Sequence, residues 1–252
     1  MAVDLALTPD VRWDIEVADL AQQTSAAGFT GLGCLATRAG ADARAAYDLA
    51  GLQCHEIMAL VITESADKTV AHAARLAEAA KTMRAPWITT VFRASLTDET
   101  AKAITRCAAM FAEVGSAMAV EFHPLGPVPS IAAGLHVVDL AGSGAGLLID
   151  TWHFSLGPST WEDLEAVPVS KIAYIQFSDA LVPLTDDLMT ETMDRRALPG
   201  QGTIDLDRFA TTIRTNGFTG YVSVEVLSLD SRTLPLPEFL RRAINATNPY
   251  WT

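Results

Sequence analysis

The sequence predicts a single-domain α/β protein folded as a closed (β/α)8 barrel, and three observations carry that expectation. Eight strand-like segments alternate with about as many helical ones along 252 residues. Several strand segments, among them 146–150 and 171–177 (KIAYIQF), are continuous apolar blocks, as strands covered on both faces are. No Ser/Gly/Pro-rich linker or charge run divides the chain, so residues 1–252 form one unit. An open doubly wound sheet is the competing architecture. Against it, no G-x-G-x-x-G follows the first strand, and no G-x-x-x-x-G-K-[ST] occurs anywhere.

The strands are expected at 4–8, 29–36, 52–62, 87–93, 117–122, 146–150, 171–177 and 220–226. Each is a short apolar, β-branched or aromatic run of strand length. The clearest helices, 70–83 and 100–114, carry apolar residues at i, i+3, i+4. Asp67 and Asp98 stand where N-caps belong, and Gly28, Gly115 and Gly217 where helices stop. A helix is expected over 205–215. A last one (PEFLRRAINA) precedes a short polar tail ending at Thr252.

Composition narrows the function classes. Against 30 Asp and Glu stand 18 Lys and Arg, a net charge of -12, which offers no general attraction to nucleic acid or to anionic membranes. No apolar run reaches the ~18 to 20 residues that span a bilayer. The first ten residues lack the charged and apolar regions of a secretory signal. Cys34, Cys54 and Cys107 are odd in number and widely spaced, which suits buried thiols in a reduced, cytoplasmic protein. A small-molecule substrate is the expected partner, with a homodimer or homotetramer as the assembly alternatives.

A barrel of this class builds its site at the C-terminal rim of the strands. Strand five ends in Glu121-Phe122-His123-Pro124 and strand six in Asp150-Thr151-Trp152-His153. Strand seven ends in Gln176-Phe177-Ser178-Asp179, and strand eight delivers Glu225. Carboxylates inside apolar strands are costly unless paired, and three converging on one rim repel without a cation. A divalent metal resolves that cost. Carboxylate and amide oxygens suit Mg2+ or Mn2+, and an imidazole from His153 tilts the choice toward Mn2+, Co2+ or Zn2+.

Several neighbours read two ways. His123, beside Pro124, turns the chain or touches the site. Asp179 caps the following loop or meets the metal. The loop RRALPGQG (195–202) is an ordinary tight turn or brings an arginine to substrate oxygens. Arg38, Arg93 and Arg196 follow strands two, four and seven. They pair with surface acids, or together they form a positive spot for a carboxylate or phosphate on the substrate. His55, His72 and His136 lie inside strand or helix patterns and read as structural or surface residues.

The series VEFHP, LLIDTWH, IQFSDA, RALPGQG and GFTGYVSVEV resembles the xylose isomerase-like TIM-barrel superfamily, in its sugar phosphate isomerase/epimerase branch. The resemblance is strong over 117–228 and architectural before that. It implies that Glu121, Asp150, Gln176 and Glu225 hold a metal and that His153 lies close to metal and substrate. It further implies that Arg196 contacts substrate. Many sugar epimerases have histidine where this chain has Gln176, whereas related hydroxypyruvate isomerases and 3-dehydroshikimate dehydratases use glutamine. The implied activity is isomerisation or epimerisation of a small polyhydroxylated carbonyl compound, with Glu121 and Glu225 as base and acid. The alternatives are a dehydratase (a lyase acting on 3-dehydroshikimate or an inosose) and a degenerate binding subunit. An endonuclease IV-type repair enzyme shares the barrel. It needs many histidines and a basic surface, and five histidines with a charge of -12 fit it poorly.

Overall fold

The computed structural model describes residues 3–251. Eight parallel strands close into a barrel: β1 (Asp4–Leu7), β2 (Gly31–Leu35), β3 (Gln53–Ile62), β4 (Trp87–Phe92), β5 (Ala117–Glu121), β6 (Ala145–Asp150), β7 (Ile172–Phe177) and β8 (Tyr221–Val224). They pair in sequence order, and β8 closes onto β1 with Leu7 opposite Val224. Every expected strand is present, shifted at its ends by a residue or two. The continuous apolar blocks are buried along their length, as all six residues of β7 show.

Helices α1 (Val17–Ala27), α2 (Ala41–Ala50), α3 (Ala66–Met83), α4 (Asp98–Glu113) and α5 (Ile131–Ala141) cover the first half of the barrel. They begin on Ser65, Thr97 and Ser130 where a side chain caps the first turn. The capping residues of α3 and α4 are therefore Ser65 and Thr97, one or two positions before the expected Asp67 and Asp98. Those aspartates sit in the first turn, where a negative charge meets the positive helix end. Gly28 terminates α1 in the left-handed conformation at φ 104°.

The second half is more irregular. Short helices α6 (Thr151–Leu156) and α7 (Trp161–Glu165) follow β6. After β7 an antiparallel ribbon joins residues 179–180 to 196–197 around α8 (Leu188–Asp194), then α9 (Leu206–Thr215) leads into β8. Helices α10 (Leu229–Arg232) and α11 (Leu236–Trp251) end the described chain. The polar tail expected after residue 246 is instead helix, with Pro249 in its last turn. Burial overrides the proline there: Trp251 and Tyr250 pack their rings 5.3 and 5.5 Å from Phe177. Thr252 lies outside the described residues.

Inside the barrel one layer is polar. Glu56 on β3 is fully buried and accepts hydrogen bonds from Thr8 (2.5 Å), Thr89 (2.5 Å) and the Tyr174 hydroxyl, while Thr8 also meets Ser223 at 2.7 Å. These residues come from β1, β3, β4, β7 and β8 or their ends, so they meet only across the interior. Gly33 makes the room, since a Cβ there would lie 2.7 Å from the Glu56 Oε1. His55 Nε2 lies 3.3 Å from the same oxygen. Burial pushes Glu56 up, but His55 and the hydroxyl donors outweigh it and hold the carboxyl at about 2.

Candidate active site

Strand register places the acids. Asp150 pairs with Gln176 across β6 and β7, and Gln176 pairs with Ser223 on β8, so Asp150 and Gln176 sit at one height. Glu121 ends β5 beside Leu148, and Glu225 follows β8 by one residue.

Asp150 does three things. Its Oδ1 accepts from the backbone N–H of Trp152 (2.7 Å) and His153 (3.0 Å), capping α6. That turn returns His153 to the same side, where Nε2 lies 3.9 Å from Asp150 Oδ2 and 3.1 Å from Glu121 Oε1. Oδ2 also accepts from Arg196 Nη1 at 2.6 Å.

Arg196 is carried into the cluster by the ribbon, in which it pairs with Ala180. Its Nη1 bridges Asp150 and Glu225 (2.9 Å), and its Nε and Nη2 donate to the Thr192 carbonyl and hydroxyl, each at 3.0 Å. The guanidinium stacks over Trp152, 5.6 Å from the ring centre. The fork expected to grip substrate is thus held by the protein's own carboxylates. Repulsion among three buried acids is relieved in part by this internal cation.

Protonation follows from burial. Burial and the Asp150 charge push Glu121 up to about 8, against the pull of Arg196. Glu225 is raised well above the carboxylate range, mainly by burial, with Arg196 opposing. Burial acts on Asp150 in the same sense, yet Arg196, His153 and the hydrogen bonds outweigh it and hold it at about 2. Burial and Arg196 bring His153 down to about 4, Asp150 opposing, so its ring is neutral at pH 7.

Glu121, Asp150 and His153 each offer one ligand atom, and these atoms lie within 4.8 Å of one another. Gln176 adds a further donor: its Nε2 gives a 3.3 Å hydrogen bond to Glu225, while its buried Oε1 has no partner. Two carboxylates and a neutral imidazole this close, with an orphaned amide oxygen on the residue paired with Asp150, suit a divalent cation. The residues fit a metal. Of the residues expected at the metal, Glu121, Asp150 and His153 form the tight group, and Glu225 is joined to it through Arg196 and Gln176.

The remaining expected residues fall in three places. His123 serves its turn, accepting from the Leu125 N–H at 3.0 Å, and also stacks 4.2 Å from the His153 ring. Burial, with His153 and Arg196, holds it at about 3. Arg38 donates to the carbonyls of Ile15 (2.6 Å) and Trp13 (2.9 Å), fixing the loop after β1. Arg93 lines a separate groove beside α3. The joint positive spot of Arg38, Arg93 and Arg196 does not form, because Arg38 is bonded to the loop after β1, Arg196 to the carboxylates, and Arg93 lines a separate groove.

Asp179 is a loop holder. Its carboxylate, 1% exposed, accepts from the N–H groups of Ala180, Gly200, Gly202 and Ile204 at 2.8–3.1 Å. Gly200 takes φ +81°, and a Cβ on Gly202 would collide with the Ala180 carbonyl, so the Pro-Gly loop needs both glycines. Sequence reasoning missed Thr192 and Trp152, which orient Arg196. Trp152 lies inside the D-x-x-H motif and was visible there; nothing in the sequence marks Thr192.

Comparison with known proteins agrees with this geometry. The profile of the xylose isomerase-like TIM barrel family matches residues 14–245. An inosose isomerase of Halalkalibacterium halodurans is 26% identical over 183 residues, covering 68% of this chain and 63% of that protein. An inosose isomerase of Bacillus licheniformis is 32% identical over 138 residues, 53% of this chain and 48% of that one. The chain thus spans about half to under two thirds of the length of these relatives. Among solved structures, the IOLI protein with a bound zinc atom superposes with a TM-score of 0.82 at 20% identity, covering 98% of both chains. By profile, barrel and distant relatives alike, the chain belongs to the xylose isomerase-like TIM barrel family.

Proposed function

We propose that the protein is a divalent-metal-dependent isomerase or epimerase of a small polyhydroxylated carbonyl compound, of the cyclic-ketone kind that the names of its inosose isomerase relatives indicate. The observation that carries this reading is the convergence of ligand atoms of Glu121, Asp150 and His153 within 4.8 Å, with a partnerless oxygen on Gln176, the residue paired with Asp150 across β6 and β7. When bound, the metal would polarise the substrate carbonyl as a Lewis acid. Glu121, Asp150, His153 and Gln176 would hold it, with Mn2+ favoured among hard ions and Zn2+ or Co2+ admitted by the imidazole.

The chain's own groups do the rest. Glu225, once its own proton has been displaced on metal binding, takes the proton next to the carbonyl on its carboxylate, and Gln176 Nε2 and Arg196 hold that carboxylate in place. Glu121, the partner acid of the pair, returns a proton to the substrate. His153 fixes the Glu121 oxygen, and the buried Trp152 ring supports the Arg196 guanidinium.

The test is incubation with inososes and ketoses in D2O with Mn2+. Deuterium should enter beside the carbonyl, and Glu225→Gln should slow turnover by roughly 10²-fold or more. A fully active Glu225→Gln variant contradicts the assignment, and a product lacking water moves the reaction to the dehydratase alternative.

A further inference from the structure

Sharing no lining residue with the carboxylate cluster, a groove of about 770 Å3 lies between the start of α3 and the end of β4. Lys68, His72 and Arg75 line it from α3, at spacings of four and three that put them on one helical face. Arg93, just past β4, lines it too. Glu64 is the one acid of its lining, and Asp67 in the same helical turn is not part of it. Hydroxyl groups of Thr63, Ser65 and Thr69 complete the wall.

This concentration of cations runs against the rest of the molecule. The chain carries a net charge of -12, and elsewhere ion pairs hold Arg12, Arg44, Lys171, Arg208 and Arg242. Among the described residues, no acid lies within ion-pair distance of Lys68, Arg75 or Arg93, and none of their side chains has a hydrogen bond. Like charges facing one groove repel, and an anion seated among them turns that repulsion into attraction. Burial and the Arg75 charge keep the His72 imidazole below its ordinary value, so near neutral pH it adds an N–H donor rather than a fourth positive charge. The volume matches a small-molecule site.

We infer that this groove binds the phosphate group of a small molecule, at a site separate from the carboxylate cluster. It shares no lining residue with Glu121, Asp150, His153, Gln176 or Glu225. The inference does not rest on the proposed reaction. Arginine forks and a lysine point charge are the groups that recognise phosphate oxygens, and three of them lining one groove from α3 and the end of β4 answer a dianion better than a single carboxylate.

The experiment is a titration of the metal-free full chain with glucose 6-phosphate, inorganic phosphate and glucose, followed by amide chemical shifts. Saturable shifts are expected over residues 63–75 and at Arg93 with both phosphates and not with glucose. Tighter binding of glucose 6-phosphate marks a sugar phosphate as the ligand, and equal binding marks the phosphate group alone. The Arg75→Ser/Arg93→Ser double variant should weaken binding by roughly tenfold or more, since it removes two charge-assisted contacts. Arg208→Ser, on another face, should leave it unchanged. Both changes are at exposed positions, so the fold is expected to survive, and an unchanged amide spectrum outside the groove checks it. Absence of saturable shifts overturns the inference, as do shifts insensitive to the double variant or equal shifts with glucose.

Discussion

Gln176 is the residue at which the metal reading meets its sharpest local test. Its amide is divided, Nε2 serving Glu225 and the buried Oε1 receiving no donor. Gln176→Leu keeps the volume and removes the oxygen, so Mn2+ affinity measured by calorimetry should fall about tenfold or more, the scale set by losses of ligand support. The acids themselves make binding pH-dependent. Glu121 at about 8 and the elevated Glu225 hold protons at neutral pH in the metal-free chain. Metal must displace them, so affinity should rise from pH 6 to 8 with proton release, visible as buffer-dependent binding heats. The linkage to stability has a definite sign. Between the unfolded carboxylate value near 4.5 and about 8, the folded chain keeps a proton that the unfolded chain has lost, so stability falls as pH rises. The thermal midpoint of chelated protein should drop across that window, and Mn2+ should reverse the drop. A flat midpoint in the absence of metal would contradict the protonation assigned to Glu121. At this scale the sequence is informative where a carboxylate ends an apolar strand, as Glu121 and Asp150 do. It is silent on Thr192 and on the fork of Arg196, because their meeting depends on an aperiodic ribbon that no sequence period encodes.

Among the elements, the loop after the ribbon depends on one carboxylate. Asp179→Ala strips the acceptor from four backbone N–H groups and should destabilise the chain by about 3 kcal/mol, the scale of buried donors left unpaired. Denaturant unfolding measures it, and a change under about 0.5 kcal/mol, the range of neutral surface changes, would contradict the holding role. The loop continues the ribbon that carries Arg196, so faster amide exchange at residues 196–204 should accompany the loss. The strands were legible because burial on both faces leaves unbroken apolar runs. Helix starts were legible to within two residues: Asp67 and Asp98 share polarity and position with the true caps Ser65 and Thr97, and only the backbone angles separate them. The end of α11 was not legible, because the packing of Trp251 on Phe177 is a tertiary contact that outweighs the local signal of Pro249.

For the whole molecule, the barrel is fastened through its interior by Glu56. Glu56→Ala leaves the hydroxyls of Thr8, Thr89 and Tyr174 without their acceptor and His55 without its partner. Loss of a buried, paired charge on this pattern costs roughly 3–5 kcal/mol, which denaturant unfolding would read as a lower midpoint. The same rule that marks Glu121, a carboxylate within an apolar strand, applies to Glu56 in CHEIMALVI, yet its position early in β3 assigns it to the interior rather than to the rim. Strand order and closure follow from eight alternating units, while the irregular second half follows from the segments that carry Arg196 and Asp179 over the mouth. The proposed function requires a metal centre at the rim of β5, β6 and β7. Titration of chelator-stripped protein with Mn2+, followed by electron paramagnetic resonance beside Asp150→Asn, measures this directly. One bound Mn2+ per chain is expected in the wild type, with loss of that signal in the variant, whereas no saturable binding, or equal binding in both proteins, would contradict the proposed metal centre.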